Sequence, residues 1–438
     1  DVCSSDLFRV LLLLAAVGIV LCAECHGKPD PDAKPNLNQI YTEQPKFISQ
    51  VKNAKLFSVG SGEDIISIVH LYGSPYEMGY AHGTIMKEQV KEFMSKTWEY
   101  LEEQVESGIN GTENWIPRDI LDWIARVGLD TALDLTYDAT KPFTGAYFYE
   151  EMQGLSDASG FDYKTIRRIH MIGELTKGSC SMYGAWGKAT SGGKLLQLRA
   201  LDWDTSGYFQ DFPQITVYHP SGNGSNGHAF ANVGWTGWIG SITGMSSNQM
   251  AISEIGVTFP DATFGKESRF GIPFTFILRD IIQFDQTLDN ALSRIAEAHR
   301  TCDLILGVGD GKLGEFRGIQ YSHEVSNFID DQNLRPVADW HAPIESVVYF
   351  GMDWLCPAYS QALHDQLVKN YGTLTPEATI KDITAIAQTG DLHIAIYDLT
   401  ANWMFVANAR KTTGTGPAFA YDRTFNRLNM TAVFDEKL

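Results

Sequence analysis

The chain has 438 residues, of which 44% are hydrophobic and 20% charged, so it has enough apolar material for a large core and general disorder is excluded. The net charge is −19, from 53 acidic and 34 basic residues, and no run of clustered Lys and Arg is present, which argues against nucleic acid as a partner. The many glycine, tyrosine and tryptophan residues favour strands and tight turns alongside helices, so we expect a mixed α and β protein.

The first 23 residues are typical of a secretory signal peptide. Arg9 precedes an apolar run over 10–22 that ends next to small residues, and this run is short for a bilayer span. A retained membrane anchor is the alternative. No later segment has the apolar length of a span, so we expect no anchor once the signal is removed. Residues 24–46, rich in Pro, Asp and Asn, predict an extended linker.

Three sequons for N-glycosylation agree with the secretory route. They begin at Asn110, Asn223 and Asn429. Sequons also arise by chance in a chain of this length, so they support the signal peptide without establishing it. We expect the protein to be secreted or lysosomal.

The cysteines are consistent with an oxidising compartment. Removal of the leader leaves Cys25, Cys180, Cys302 and Cys356, an even number that permits two disulfides. We expect instead that Cys302 pairs with Cys356, that Cys180 stays free for chemistry, and that Cys25 near the terminus is unpaired. The sequence alone leaves this connectivity open.

Helical patterns dominate the front of the chain, over 47–179. Two short strands are predicted first, at 57–59 and 65–72, and then helices over 76–104, 118–135, 147–158 and 166–175.

From residue 180 to 438 the pattern changes to short strands separated by glycine. Strands are predicted at 195–201, 215–219, 229–233, 239–245, 250–257, 304–308, 347–350, 393–398 and 403–407, and helices at 274–299, 359–371 and 376–387. No internal repeat is present. We therefore place the main boundary at residue 180, between a helix-rich front part and a β-rich part.

The hairpin that starts at Cys180 is the strongest candidate site. A glycine-containing turn over 187–194 separates two strand-like pieces, and the return strand carries Arg199 and Asp202 at its end. Charged residues at the end of an apolar strand need a partner, and a structural ion pair is one explanation. The functional alternative is that Arg199 and Asp202 frame the thiol of Cys180 and stabilise nearby charge.

Three blocks of the sequence carry a resemblance to a known family. Segment 73–83 (GSPYEMGYAHG), segment 150–155 (EEMQGL) and the hairpin from Cys180 to 199–203 (RALDW) resemble, in this order, the blocks of the penicillin acyltransferase-like family. The hairpin is also similar to those of bile salt hydrolases and acid ceramidase, which share a cysteine as N-terminal nucleophile. The resemblance extends over about residues 65 to 410.

This resemblance implies an N-terminal-nucleophile (Ntn) hydrolase fold, an α+β sandwich of two antiparallel sheets between helical layers. It implies that the precursor cuts itself between Ser179 and Cys180, and that the two fragments stay associated. Cys180 is then the nucleophile, with its own α-amine as general base, because such an amine titrates at about 7.7–8.0 and can accept the proton of a thiol. Arg199 and Asp202 orient the amine or the substrate by the same resemblance.

Two positions depart from the pattern of the bile salt hydrolases. Where those relatives have an oxyanion-stabilising asparagine, this chain has Glu254, a poor donor unless protonated. A later asparagine is replaced near Asp353, which could take its role in orienting the amine of Cys180.

We therefore predict a linear amide hydrolase or acyltransferase that acts on a small or lipid-like N-acyl substrate. The tryptophans after the nucleophile, Trp186, Trp203, Trp235 and Trp238, suit an apolar acyl pocket or the core. No cofactor and no metal are expected, because histidines with metal-ligand spacing are absent. The alternatives are an inactive secreted glycoprotein of the same fold, and a conventional protease that uses Cys180 with His341 or His393.

Overall fold

The computed structural model describes residues 24–110, 116–222 and 227–438, and two β-sheets form its centre. The signal segment 1–23 and the sequon at Asn223 lie outside the described residues. The larger sheet consists of β1 (Lys46–Val51), β2 (Ala54–Val59), β3 (Ile66–Gly73), β6 (Pro213–Pro220), β7 (Phe230–Trp235), β8 (Gly244–Ser246), β9 (Met250–Gly256), β10 (Leu304–Asp310), β11 (Glu315–Tyr321) and β12 (Ser326–Ile329), adjacent in that order.

The smaller sheet contains the hairpin of Cys180 at its centre. In spatial order it consists of β13 (Val347–Phe350), β4 (Ser179–Gly187), β5 (Gly193–Asp202), β14 (His393–Asp398), β15 (Trp403–Asn408) and β16 (Asn426–Asn429). Every neighbouring pair in both sheets is antiparallel except β3 and β6, which pair in parallel.

The helices lie around these sheets. They are α1 (Pro75–Ile85), α2 (Lys87–Ile109), α3 (Arg118–Val127), α4 (Leu129–Thr140), α5 (Ala146–Ser159), α6 (Tyr163–Ile169), α7 (Phe274–Phe284), α8 (Leu288–Glu297), α9 (Pro357–Lys369), α10 (Pro376–Ala378), a π-helical turn (Thr379–Thr384), α11 (Ala385–Ala387) and α12 (Met430–Phe434). Short 3-10 turns occur at Gly62–Asp64, Lys141–Phe143, Ile172–Glu174, Phe209–Asp211, Ala262–Phe264 and Ala420–Asp422.

The two sheets pack face to face, with helices on the outside. Between the sheets, the amide of Gln197 on β5 donates to Ser253 Oγ on β9 over 2.8 Å. The ring of Phe316 on β11 fills the space above Gly184 on β4, where a Cβ would lie 2.1 Å from it. Helices α1 and α7 pack on the larger sheet, and α9 and α10 on the smaller one. The predicted α+β sandwich is confirmed, with one parallel strand pair.

Two of the sequence blocks that carry the family resemblance meet as a close helix crossing. A Cβ on Gly79 of α1 would lie 1.9 Å from the carbonyl oxygen of Glu151, and one on Gly154 of α5 would lie 2.2 Å from that of Tyr76. Glycine is required at both positions because the backbones of α1 and α5 touch.

Several predicted helices and strands are divided or shortened. The helix expected over 118–135 stops at Gly128, whose φ of +86° ends α3 before α4 begins. The helix expected over 274–299 is interrupted at Asp285, and the Thr287 hydroxyl accepts from Asn290 N and starts α8 as a new helix. The strand expected over 239–245 reduces to β8, because the peptide groups of Ile239 bond to side chains, those of His170 and Arg279.

The helix expected over 76–104 is also divided, at Met86, which has φ −117° and ψ 27°. Strands β1, β11, β12 and β16 were not predicted. Among the described residues no helix is long and apolar enough to cross a membrane.

The linker segment is bound to the body of the protein. The amide nitrogen of Asn36 donates to the carbonyls of Tyr421 and Arg423 over 2.8 and 2.9 Å, and Tyr41 forms a bridge with Asn426 at β16. At its other end, the linker segment reaches the start of α9, where Cys25 N donates to Leu355 O.

The predicted disulfide between Cys302 and Cys356 is wrong. Cys356 pairs with Cys25, with 4.9 Å between the two Cα atoms. Cys25 is brought there by the bound linker, where its backbone nitrogen donates to Leu355 O over 3.0 Å. Cys302 is a free, buried thiol in front of β10, next to Thr301 and Glu174. The error arose because the linker was expected to be unattached, which left Cys25 without a nearby partner.

Candidate active site

Cys180 is the second residue of β4 and its thiol is free and buried. In the pairing of β4 with β5, Cys180 lies opposite Leu201, Met182 opposite Arg199, and Ser179 opposite Asp202. Because side chains alternate along a strand, Cys180 and Arg199 share the face towards the larger sheet, whereas Asp202 lies on the other face. The hairpin thus brings the two charged residues to opposite sides of the nucleophile candidate.

Arg199 and Glu254 form a buried ion pair next to Cys180. Arg199 Nη2 donates to Glu254 Oε2 over 3.0 Å, and the Arg199 side chain is fully buried. Its Nε and Nη1 have no hydrogen-bond partner among the described residues, which is unusual for buried donors. Burial raises the pKa of Glu254, while Arg199 acts in the opposite direction. In the described part of the chain, two donor atoms of a permanent cation are therefore unpaired close to Cys180, although Arg199 itself does not line the cavity beside the thiol.

The thiol of Cys180 is held neutral in the intact chain. Burial is the largest cause that raises its pKa, with contributions from the charges of Glu254 and Asp202. Arg199 and a hydrogen bond from the backbone of Asp202 lower the pKa, but these effects are smaller. An additional base or cation near the sulfur is therefore needed to form the thiolate.

Asp202 is bound by the loop that precedes β14. Its carboxylate accepts from the Thr389 hydroxyl over 2.7 Å, from Gly390 N over 2.7 Å and from Asp391 N over 3.2 Å. Burial raises the pKa of Asp202, and these three donors counteract part of that effect. Burial and the neighbouring charge of Asp202 likewise raise the pKa of Asp391.

The carboxylate of Asp353 is hydrogen-bonded to groups other than the nitrogen of Cys180. It accepts from the backbone N–H groups of Thr258 and Phe259, after β9, and from that of Trp354, over 2.7–3.2 Å. Burial raises its pKa to about 6. The nitrogen of Cys180 donates instead to the carbonyl oxygen of Met352 over 3.1 Å. In the intact chain the nitrogen of Cys180 is therefore bound by the backbone carbonyl of Met352, whereas the side chain of Asp353 was expected to bind it.

Three residues around Cys180 were missed by sequence reasoning: Ser181, Met352 and Thr389. Ser181 Oγ accepts from Met352 N over 3.0 Å and lies 2.6 Å from Thr389 Oγ1. The single signal in the sequence was the glycine at position 390. In the structure Gly390 has a φ of +86° in a tight loop before β14. Serine and threonine are too common for their positions to have indicated this contact.

An apolar cavity of about 90 Å³ lies beside the thiol of Cys180. Its large side chains are Trp203, Phe209, Trp235, Trp238, Ile242 and Phe274, and Glu254 contributes the acidic group. Three of the four tryptophans considered for an acyl pocket line this cavity, and Trp186 does not. Gly173 and Gly178, in the segment before Cys180, also line it.

The histidines of the protease alternative are occupied by other groups. His341 has its two ring nitrogens at 2.9 and 2.8 Å from the carbonyl oxygens of Pro336 and Tyr349. His393 Nε2 lies 2.9 Å from Thr243 Oγ1, and burial lowers its pKa well below the usual value. Among the described residues no group of three or more His, Cys, Asp or Glu could hold a metal ion.

Of the two described sequons, one asparagine is exposed and one caps a helix. Asn110 is exposed at the end of α2. The side-chain oxygen of Asn429 accepts from Ala432 N over 3.2 Å at the start of α12, and Asn429 is half-buried.

Comparison with known proteins defines the family. The chain is 35% identical to protein dcd1A of Dictyostelium discoideum, over 98% of this chain and 100% of that protein. It is 36% identical to protein dcd1B of the same organism, over 91% of this chain and 81% of that protein. The chain belongs to the family of these dcd1 proteins. No family model matches it.

Solved structures have a lower similarity. An N-acylethanolamine-hydrolyzing acid amidase ortholog from Caenorhabditis elegans has a TM-score of 0.38 and 12% identity, over 50% of this chain and 93% of that one. Penicillin V acylase from Agrobacterium tumefaciens has a TM-score of 0.36 and 11% identity, over 52% and 83%. Similarity at this level supports no argument about activity, which has to come from the site itself.

Proposed function

We propose that this protein is a self-processing cysteine amidase or acyltransferase of the penicillin acyltransferase-like group, which acts on a linear N-acyl amide of a small or lipid-like molecule. The observation that carries the proposal is the free thiol of Cys180 at the start of a central strand, between the Arg199–Glu254 pair and an apolar cavity. A cavity of about 90 Å³ has room for a short acyl group, and the thiol lies beside the position that its carbonyl carbon would take.

Self-processing proceeds by transfer of an acyl group from nitrogen to sulfur. The thiol of Cys180 adds to the carbonyl carbon of Ser179, and the amide nitrogen of Cys180 leaves with a proton, which forms a thioester between the two residues. Water hydrolyses the thioester. Ser179 then ends in a carboxylate, and Cys180 has a free amine and a free thiol.

The new amine supplies the base that the intact chain does not have. It accepts the proton of the thiol, the thiolate adds to the substrate carbonyl, and the same proton passes to the leaving amine. Water, or a second amine in the case of acyl transfer, resolves the thioester. The free Nε and Nη1 donors of Arg199 are suited to stabilise the oxyanion that forms at each addition step.

A secretory location, outside the cell or in the lysosome, is part of the proposal. The disulfide Cys25–Cys356 supports an oxidising compartment. The sequons and the signal-like first 23 residues point in the same direction.

N-terminal sequencing and intact mass of the purified protein test the proposal. The wild type should yield a fragment that begins at Cys180, and Cys180→Ala should remain uncut. Cys302→Ala is the matched control, because Cys302 is the other free buried cysteine. The cut protein should then release aminomethylcoumarin from N-acyl amides. An uncut wild type without activity would favour an inactive protein of this fold, and an uncut wild type with peptidase activity a conventional protease.

A further inference from the structure

A chain of hydrogen bonds connects the nitrogen of Cys180 with the carboxylate of Asp202. Cys180 N donates to Met352 O over 3.1 Å, and Met352 N donates to Ser181 Oγ over 3.0 Å. Ser181 Oγ lies 2.6 Å from Thr389 Oγ1, which lies 2.7 Å from Asp202 Oδ2. The chain joins three segments of the smaller sheet and its surroundings that are distant in sequence.

Thr389 is the donor at both of its contacts in this chain. Its single hydroxyl proton is shared between Asp202 Oδ2 and Ser181 Oγ, and Ser181 Oγ also accepts from Met352 N. Both residues are almost fully buried, so water does not replace either partner.

Met352 has a backbone conformation that depends on these contacts. Its φ is +66°, in a region of backbone conformation that residues other than glycine rarely adopt. Its peptide nitrogen is bound by Ser181, and its carbonyl oxygen by Cys180. The two peptide groups that flank Met352 are therefore held separately, one by Ser181 and the other by Cys180, and together these contacts stabilise its unusual φ.

We propose that Ser181 and Thr389 are positioning residues for the α-amine of Cys180: Ser181 holds the backbone of Met352 at its nitrogen, the carbonyl of Met352 holds the nitrogen of Cys180, and Thr389 connects Ser181 to Asp202. The inference rests on the proposed function, in which this amine is the general base. An amine that is held by this hydrogen bond keeps its lone pair directed at the thiol and away from solvent. Neither residue lines the cavity beside the thiol of Cys180.

The charge of Asp202 makes the role of Thr389 measurable. The titratable and charged groups that interact electrostatically with Asp202 are Cys180 on β4, Arg199 on its own strand, Asp391 in the loop before β14, Tyr359 on α9 and Tyr421 in the last 3-10 turn. The Thr389 hydroxyl stabilises the ionised form of Asp202. Its removal should raise the pH at which Asp202 ionises, and thus shift the acid limb of the activity profile upward.

The test compares Thr389→Val, Thr389→Ser and Ser181→Ala, with all rates expressed per cut chain. Thr389→Val should lower kcat at least tenfold with little change in KM, and should shift the acid limb upward by about 0.4–1 pH unit. Thr389→Ser retains the hydroxyl and should behave like the wild type. Ser181→Ala should lower kcat to a similar extent. Thr136→Val is the control, since the buried Thr136 hydroxyl donates only within α4, to Ala132 O.

A second measurement needs no substrate. Alkylation of Cys180 by iodoacetamide, followed by peptide mass against pH, should have its midpoint at higher pH in Thr389→Val and Ser181→Ala than in the wild type. This measurement tests the positioning role even if no amide probe is turned over. If Thr389→Val does not fold, the alkylation midpoint of Ser181→Ala tests the role instead.

Three results would overturn the inference. The first is that Thr389→Val and Ser181→Ala both have the same kcat and pH profile, or the same alkylation midpoint, as the wild type. The second is an equal loss in Thr389→Ser and Thr389→Val, which would mean that Thr389 acts through packing alone. The third is a wild-type protein that is never cut before Cys180, which removes the proposed function and this inference together. The first two leave the proposed function intact.

Discussion

Cys25 and Cys356 are 331 residues apart in sequence and form a disulfide, and the Ser179–Cys180 bond lies between them. One partner belongs to the part of the chain before the proposed cut and the other to the part after it. The two fragments of a cut protein are therefore expected to remain covalently joined.

Gel electrophoresis with and without reductant checks this expectation. The cut wild type should run as one species without reductant and as two with it, whereas Cys25→Ser should run as two in both cases. Cys302→Ser is the control and should behave like the wild type, because Cys302 is not bonded. Loss of the disulfide should also lower the free energy of unfolding by about 2–5 kcal/mol. Separate fragments in the unreduced wild type would contradict the pairing.

The buried pair of Arg199 and Glu254 should affect stability and activity in separable ways. Arg199→Met leaves the Glu254 carboxyl buried without its partner, so we expect a loss of about 3–5 kcal/mol in the free energy of unfolding. The double variant Arg199→Met with Glu254→Met removes both charges and should regain most of this stability. Activity should fall about 10²–10³-fold in both variants, because the donors for the oxyanion are lost. Chemical denaturation and the rate of amide hydrolysis measure the two effects, and recovery of activity in the double variant would contradict the role of Arg199.

The stability of the protein should decrease as the pH rises above about 6.5. Burial raises the pKa of Asp303 to about 7, and it also raises the pKa values of Asp202 and Asp391. Such groups hold a proton in the folded state that the unfolded state has already lost, so their contribution falls as the pH rises through the folded pKa.

Buried histidines act in the opposite direction at lower pH. Burial lowers the pKa of His82 and of His170 to about 4, so these histidines bind more protons in the unfolded state between about pH 4 and 6.5, and their contribution to stability rises with pH there. Above pH 6.5 the buried acids Asp202, Asp303 and Asp391, and not these histidines, still change the free energy of unfolding with pH. The midpoint of thermal unfolding should therefore be lower at pH 8 than at pH 6.5. Asp391→Asn should reduce this difference, whereas Glu99→Gln, at an exposed position of α2, should leave it unchanged. A midpoint that rises over the same interval would contradict the expectation.

The cavity beside Cys180 should select acyl groups by length. Ile242→Trp adds volume to its wall and should lower kcat/KM for a butyryl amide at least tenfold, with a much smaller effect on an acetyl amide. Trp186→Phe is the control, because Trp186 does not line the cavity. Equal losses for both acyl groups would mean that the acyl chain binds elsewhere.

The strands and helices followed from the sequence where the signals were local. The hairpin from Cys180 to Asp202 was predicted because a turn with several glycines separates two apolar segments, and it is present as β4 and β5. Helix breaks at Gly128 and Thr287 were missed although each has a local cause, a positive φ and an N-terminal cap. The short β8 was overestimated because the peptide of Ile239 is bound by side chains from other segments.

The sequence by itself determined the α+β class, the hairpin of Cys180 and the placement of Arg199 and Asp202 near its strand, since alternation and a short turn act over a few residues. Only the tertiary structure decided the partner of Cys356 and the groups that hold the nitrogen of Cys180. Ser181 is separated from Met352 by 171 residues and from Thr389 by 208. Contacts over such distances depend on how the sheets and loops pack, and no local pattern of residues encodes them.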